Sequence, residues 1–155
     1  MSSQTKSVDL GSDKDTQILA AYLATAIPSG VVYLVGGLGA GKTTLARYWL
    51  ESLGVSSRIK SPTYTLVEQY ELSESVTVYH LDLYRLEQAE DYLDLGLDQL
   101  PEHALMLVEW PDKGAGFLPK ADLKIEIGFL PEVGDEARRL FISGSLPASI
   151  THFDV

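Results

Sequence analysis

The chain has 155 residues, and its 12 Lys plus Arg against 22 Asp plus Glu leave a formal net charge of −10. Apolar residues make up 45% and charged residues 22%, a composition typical of a globular domain and not of a disordered segment. The absence of cysteine excludes disulfides, Cys-ligated zinc and thiol chemistry, and the acidic balance argues against direct binding of a nucleic-acid backbone.

The first half of the chain predicts two helices around a strand. Ser12, with an acid three residues later, begins a helix whose apolar residues recur at helical spacing over 18–27. The apolar run 31–35 is typical of a strand covered on both faces. A second helical pattern covers 42–53, with Gly54 as its C-cap.

The second half predicts mainly strands. They cover 64–70, 76–82 and 105–109, followed by a β-hairpin of 123–129 and 139–143, and an acidic helical stretch lies over 87–95. Strands that alternate with helices predict an α/β fold, a mainly parallel sheet with helices on both faces and a C-terminal antiparallel hairpin.

No linker, repeat or targeting segment divides the sequence. We expect one domain over residues 1–155, with a loose tail over about 143–155. No stretch approaches the roughly 18 apolar residues of a membrane span, and the first seven residues lack the apolar core of a signal peptide. A cytoplasmic protein without a membrane partner is therefore expected.

Residues 36–43 read Gly-Gly-Leu-Gly-Ala-Gly-Lys-Thr and fit the phosphate-loop pattern G-x-x-x-x-G-K-[ST], between a strand and a helix. Its glycines let backbone N–H groups converge on phosphate oxygens at the positive end of the helix. Lys42 adds a mobile charge for the β- and γ-phosphates, and the Thr43 hydroxyl is a hard ligand for Mg²⁺. We predict a nucleotide site in a P-loop NTPase-like fold. ATP is favoured because the chain has no asparagine and its one Thr-Lys pair lacks the Asp of a guanine-selective loop.

A phosphate loop needs a carboxylate at the end of a neighbouring strand to orient Mg²⁺ or its waters. Glu109 follows four apolar residues, and Asp82 ends another strand pattern. We assign Glu109 to the metal and Asp82 to the attacking water or to a contact behind the metal, although the two roles could be exchanged. Asp82 could instead pair with Arg85.

Other polar residues give weaker signals. The segment Ser61-Pro-Thr-Tyr-Thr65 is by composition a turn that leads into a strand, but it could also lie across the γ-phosphate as switch segments do. Trp110 is by default a core residue. The three histidines, including His80, show no metal-ligand spacing, so we expect no special role for them.

Four segments together resemble one family. They are Gly39-Ala-Gly-Lys-Thr-Thr-Leu45 with Arg47, Ser61-Pro-Thr-Tyr-Thr-Leu-Val67, His80-Leu-Asp-Leu-Tyr-Arg85 and Val108-Glu-Trp110. In this order they resemble the TsaE family, the ATPase component of the bacterial machinery that makes N6-threonylcarbamoyladenosine in tRNA. The resemblance is weak before about Ser12 and after about Ile127.

The resemblance implies Mg-ATP binding, weak intrinsic ATPase activity and association with the TsaB and TsaD proteins, with tRNA reached only through that complex and no role for DNA. With the phosphate-loop pattern, it predicts three sets of site residues. Catalytic roles fall to Lys42, Thr63 and Asp82; nucleotide contacts to Gly36, Leu38, Gly39, Ala40, Gly41, Lys42, Thr43, Thr44, Ser61 and Trp110; and metal binding to Thr43 and Glu109. Hydrolysis would act as a switch for partner binding.

The sequence departs from the family at Gly37, where an acid is usual, and at Tyr48, where a glycine is frequent. Two other functions stay open. A small-molecule kinase would need several arginines in a lid, and the region over 87–98 is acidic instead. A nucleotide-gated scaffold would bind ATP without turning it over.

Overall fold

The computed structural model describes residues 4–55, 58–73 and 76–155. Residues 1–3, part of the N-terminal segment in which the sequence shows no apolar core of a signal peptide, lie outside these ranges. The strands and α-helices are β1 (Gln4–Leu10), α1 (Asp13–Ala26), β2 (Gly30–Val35), α2 (Lys42–Ser52), β3 (Val67–Ser73), β4 (Val76–Asp82), β5 (Leu105–Glu109), β6 (Leu123–Phe129) and β7 (Arg138–Gly144). Short 3₁₀ helices cover Ala89–Leu95, Pro111–Gly114 and Ala148–His152.

All seven strands form one sheet in the order β1-β7-β6-β2-β5-β4-β3. The central strands β6, β2, β5 and β4 are mutually parallel, and the outer strands pair antiparallel. The predicted α/β class, the mainly parallel core and the C-terminal hairpin are confirmed. In such a sheet the carboxyl ends of the parallel strands meet at one edge, which is where ligands bind in open α/β folds.

Both α-helices pack on the same face of the sheet. Trp49 of α2 and Leu19 of α1 are completely buried there against side chains such as Leu34 of β2. The opposite face carries a smaller core around Leu81 and Met106, which the 3₁₀ helix Ala89–Leu95 covers through Tyr92. The prediction of helices on both faces therefore holds only with a 3₁₀ helix on one of them.

The helix starts differ in a way that matters for the site. Ser12 caps α1 as predicted, because its Oγ accepts a hydrogen bond from the Asp15 amide at 3.4 Å. Helix α2 has Gly41 as its N-cap and therefore no side-chain cap. Since the first N–H groups of a helix have no acceptor within it, those of α2 are available to a ligand.

The observed strands differ from the prediction in two places. Residues 64–66 do not belong to β3: the Leu66 amide donates to the Pro62 carbonyl at 2.8 Å, and Leu66 has a φ of 68°, so the chain turns before the strand begins. Strand β1 was not predicted. Only Val8 and Leu10 of it are buried apolar residues, and two alternating positions are too few to indicate an edge strand.

The expected loose tail is packed against α1. Ile150 is buried in the main core, the Phe153 ring stacks on Tyr22 at 4.5 Å, and the Tyr22 and Ser149 hydroxyls are 2.7 Å apart. Among the described residues, no helix is both long and apolar enough to cross a membrane.

Candidate functional site

The predicted site residues meet where three parallel strands end. Glu109, the last residue of β5, is in register with Asp82 on β4 and with Leu34 on β2. Strand β2 then continues through the loop 36–41 into α2. The two acids, the glycine-rich loop and the N-terminus of α2 thus surround one cleft.

The loop has the backbone conformation that its glycines permit. Gly39 and Gly41 have φ values of 75° and 111°, a region that other residues rarely adopt. Gly36 is required for another reason, because a Cβ there would lie 2.6 Å from the Ile127 carbonyl oxygen. Gly37 has neither constraint, and a Cβ there would meet no atom within 4 Å.

Lys42 is buried beneath the loop. Its Nζ donates to the carbonyl oxygens of Gly36 at 2.7 Å and Gly37 at 2.8 Å, and it lies 4.3 Å from the ring centroid of Trp110. Burial lowers the pKa of Lys42, and the nearby Glu109 and Asp82 carboxylates oppose that shift. Trp110 reaches this position with a φ of 56°, an unusual conformation for a bulky residue.

Glu109 is held by two side chains. Thr43 Oγ1 donates to Glu109 Oε1 at 2.7 Å, and His80 Nε2 lies 2.7 Å from Glu109 Oε2. Glu109 and His80 are only 2% and 1% exposed. His80, for which the sequence predicts no special role, thus contacts the carboxylate that the sequence assigns to the metal.

Asp82 has different surroundings. Its Oδ1 accepts a hydrogen bond from the Tyr84 amide at 3.1 Å. Burial raises the pKa of Asp82; the Tyr84 amide opposes this shift and the Glu109 carboxylate adds to it. Within the described ranges Asp82 forms no ion pair with Arg85, whose guanidinium lies 4.6 Å from the ring centroid of Tyr64 instead.

The Ser-Pro-Thr segment lies beside the acids. The Ser61 and Thr63 hydroxyls are 2.7 Å apart. The loop that follows is anchored to β4, because the Leu66 carbonyl accepts a hydrogen bond from the Asp82 amide at 2.9 Å. A displacement of this segment would therefore also move the backbone at Asp82.

Most of the predicted residues line this one cleft. They are Leu38, Gly39, Gly41, Lys42, Thr43, Thr44, Thr63, Asp82, Glu109 and Trp110. Three predicted residues do not. Gly36, at the start of the loop, accepts a hydrogen bond from Lys42, Ala40 is buried and faces a neighbouring cleft, and the Ser61 hydroxyl contacts that of Thr63.

Sequence reasoning missed some contributors. Tyr84 and Arg85 also line the cleft, and both stand in the quoted segment that contains Asp82. His80 could have been found from its place two residues before Asp82, since alternate residues of a strand share a face. Arg138 gave no pattern at all.

A second cleft lies on the other side of the loop. It shares Gly39, Gly41 and Thr44 with the first and adds Thr16 of α1 and Arg138 of β7. Arg138 Nε donates to the Ala40 carbonyl at 2.8 Å, so the C-terminal hairpin is joined directly to the loop.

Comparison with known proteins decides the family. Residues 10–139 match the model of "Threonylcarbamoyl adenosine biosynthesis protein TsaE". The chain belongs to the TsaE family. Its relatives include the tRNA threonylcarbamoyladenosine biosynthesis proteins TsaE of Haemophilus influenzae (44% identical, covering 71% of this chain and 67% of the relative) and Bacillus subtilis (36%, covering 82% and 78%). The role of the TsaE family is in the biosynthesis of threonylcarbamoyladenosine in tRNA.

The fold of this TsaE chain is also that of a solved structure. It superimposes on Bacillus subtilis YdiB with a TM-score of 0.72 and 25% sequence identity, over 98% of this chain and 95% of YdiB. The similarity therefore includes the β1 and C-terminal regions that lie outside the family match.

Proposed function

We propose that this TsaE chain is a Mg²⁺-dependent ATPase whose ATP binding and hydrolysis switch its association with a TsaB–TsaD complex. One observation carries the proposal. Lys42 and Thr43 at the start of α2 face the Glu109 carboxylate at the end of β5, within a cleft that the glycine loop borders. A buried strand has little reason to end in a carboxylate unless it meets a cation.

The loop is suited to a polyphosphate. The uncapped N-terminus of α2 and the left-handed Gly39 and Gly41 present backbone N–H groups toward the cleft. Lys42 Nζ is held at the same place by two carbonyls and the Trp110 ring. A phosphate oxygen is a stronger partner for an ammonium group than a neutral carbonyl, so bound phosphate would draw Lys42 toward it.

The donor set fits Mg²⁺. Thr43 Oγ1 and Glu109 Oε1 are 2.7 Å apart, so both oxygens could face one ion. The described residues contain no cluster of three or more His, Cys, Asp or Glu that could hold a metal alone. Mg²⁺ in nucleotide sites needs none, because one or two protein oxygens act with phosphates and waters. When bound, Mg²⁺ supplies charge that neutralises the β- and γ-phosphate oxygens.

Asp82 and Thr63 are placed to act on water. Both line the cleft across from the loop. Of the two Asp82 carboxylate oxygens, only Oδ1 accepts a hydrogen bond from a described residue, the Tyr84 amide. The raised pKa of Asp82 makes its carboxylate a better acceptor for a proton of the attacking water. Asp82 would therefore orient the water, with the Thr63 hydroxyl beside it.

The second cleft is a place for the nucleoside. It is continuous with the phosphate cleft through Gly39, Gly41 and Thr44. Asp13 and Thr16 of α1 and Arg138 of β7 add polar groups to it. We therefore place the phosphates over Lys42 and the adenosine toward α1 and β7.

The switch would act through the segment 61–66. Its end is fixed to Asp82 by the Leu66 carbonyl, and Tyr64 in its middle is 81% exposed. Loss of the γ-phosphate beside Thr63 and Asp82 would therefore change an exposed surface that a partner could read.

Mg-ATP turnover by the purified protein, alone and with TsaB and TsaD, tests the proposal. We expect slow turnover alone and faster turnover with the partners. Lys42→Ala should lower turnover about 100-fold or more, since removal of one charge-stabilising donor typically costs that much. Nucleotide binding without turnover in any mixture would leave only a nucleotide-gated scaffold. Equal partner affinity with an ATP analogue and with ADP would contradict the switch.

A further inference from the structure

His80 is a buried histidine whose side-chain hydrogen bonding, among the described residues, involves Glu109 alone. It lies on β4 two positions before Asp82, on the face that packs toward α2, and is 1% exposed. Its Nε2 lies 2.7 Å from Glu109 Oε2, and its Nδ1 has no hydrogen-bond partner among the described residues.

The hydrogen on this contact belongs to the histidine. An ionised carboxylate only accepts hydrogen bonds, so Nε2–H donates to Glu109. A hydrogen on Nδ1 would have no acceptor among the described residues. The hydrogen bonding of the ring is therefore directed at Glu109 alone among the described residues.

The two donors divide the carboxylate between them. His80 holds Oε2 and the Thr43 hydroxyl holds Oε1. A glutamate has three rotatable side-chain bonds, and burial of its charge costs free energy unless donors compensate. Without His80, Oε2 would lose its donor and the carboxylate could rotate away from Thr43.

We infer that His80 is a positioning residue for the metal-binding carboxylate. It holds Glu109 so that Oε1 stays beside the Thr43 hydroxyl, and the two oxygen ligands of nucleotide-bound Mg²⁺ are formed before the nucleotide arrives. The inference rests on the proposed function, because it gives His80 a purpose only if Glu109 meets Mg²⁺. Partners of metal-binding side chains commonly act in this way.

The test compares ADP affinity by calorimetry in Mg²⁺ and in EDTA, for wild type, His80→Leu and His80→Gln. We expect His80→Leu to lose about 10- to 100-fold of the Mg²⁺-dependent gain in affinity, with ADP affinity in EDTA unchanged. His80→Gln should retain most of the gain, because its Nε2 lies the same number of bonds from Cα as the histidine Nε2 and can donate to Oε2. Should His80→Leu not fold, His80→Asn replaces it, since its amide is one bond too short and should show the same loss.

Val78→Ala is the matched control. Val78 lies on the same face of β4, is fully buried, and pairs with Leu105, four residues from Glu109. It should loosen the strand without changing the Mg²⁺-dependent gain.

Each outcome has a separate meaning. A His80→Leu variant that keeps the full Mg²⁺-dependent gain, or loses affinity equally in Mg²⁺ and EDTA, overturns the role of His80 alone. A His80→Gln variant as weak as His80→Leu does the same. A wild type that binds ADP in neither condition overturns the proposed function, and this inference with it.

Discussion

Asp82 and Glu109 are neighbours in register on adjacent strands, yet their surroundings separate them. Glu109 has a donor on each oxygen, whereas Asp82 has one backbone donor and a carboxyl pKa raised by burial. Two carboxylates in one site commonly divide a reaction in this way, one fixed in place and one free to exchange a proton. This difference supports the proposal that Glu109 binds the metal and Asp82 orients the water.

Asp82→Asn should raise the free energy of unfolding near neutral pH and lower ATP turnover. Burial of Asp82 raises its pKa in the folded protein above the ordinary value of 3.8, so ionising this carboxyl costs the folded state more than the unfolded state. The free energy of unfolding therefore falls as the pH rises from 3.8 through the raised pKa. Urea unfolding of the nucleotide-free protein should therefore give Asp82→Asn a higher free energy of unfolding than wild type at pH 8, and no advantage below about pH 4. The Asn oxygen can still accept from the Tyr84 amide.

The same variant should keep Mg-dependent nucleotide binding and lose turnover about 100-fold or more, in the range for a lost acid–base group. Asp9→Asn is a control of opposite sign, because the Arg139 hydrogen bond lowers the pKa of Asp9 and that replacement should not stabilise the protein. If Asp82→Asn abolishes Mg-dependent binding while Glu109→Gln loses only turnover, the roles of the two acids are exchanged.

At the residue scale the sequence predicts which residue types form the candidate site better than it predicts their contacts with one another. The phosphate loop and both acids could be found because phosphate and Mg²⁺ demand those residue types. Which acid faces Thr43 depends on which strand lies beside α2, and the pattern along a strand does not contain that information. Alternation along β4 indicates that His80 shares a face with Asp82, but it does not predict the contact of His80 with Glu109, which joins two strands and residues 29 positions apart.

The helices and strands show where prediction from the sequence succeeds and where it fails. Segments with a clear periodicity or a continuous apolar run were predicted well: α1, α2, β4 and β5 agree with the predicted ranges to within about a residue. The start of β3 was wrong because a left-handed Leu66 and a turn at Pro62 depend on contacts with β4. The acidic stretch became a 3₁₀ helix that ends at Gly96, where φ is 72°.

Replacement by alanine should change the free energy of unfolding in opposite directions at Gly36 and Gly37. Gly36→Ala places a Cβ 2.6 Å from the Ile127 backbone oxygen and should lower the free energy of unfolding by about 1–3 kcal/mol, the usual cost of overpacking. Gly37→Ala enters open space and should change it by no more than about 1 kcal/mol, with a gain from reduced unfolded-state entropy. Urea unfolding of the pair checks this, and equal losses would mean that the loop does not pass β6 as described.

The molecule as a whole carries its two α-helices on one side and its chemistry at one edge of the sheet. The C-terminal segment completes the helical side, because Ile150 enters the main core and Phe153 stacks on α1. Short apolar segments near a chain end give no periodic signal, which is why the packing of this one was not predicted. The C-terminal segment that helps to stabilise the fold thus packs on α1, away from the cleft at the end of β5.

Ile150→Ala should lower the free energy of unfolding by about 2–5 kcal/mol, the cost of removing a fully buried aliphatic side chain. The midpoint of urea unfolding measures the loss, with the exposed Thr151→Ala as the matched control. Nucleotide affinity at a temperature where the variant is folded should equal that of wild type. An unchanged midpoint would show that residues 145–155 do not pack as described.

The ring of Trp110 over the Lys42 ammonium also has an optical consequence. The chain has two tryptophans. Trp49 of α2 is completely buried in the main core. Trp110 lies in the cleft, with its ring centroid 4.3 Å from the Lys42 ammonium group, which a bound phosphate would displace. Indole emission responds to nearby charge, so occupancy of the cleft would alter one chromophore and leave the other as an internal reference. Tryptophan fluorescence of the unlabelled protein should therefore report whether the cleft is occupied.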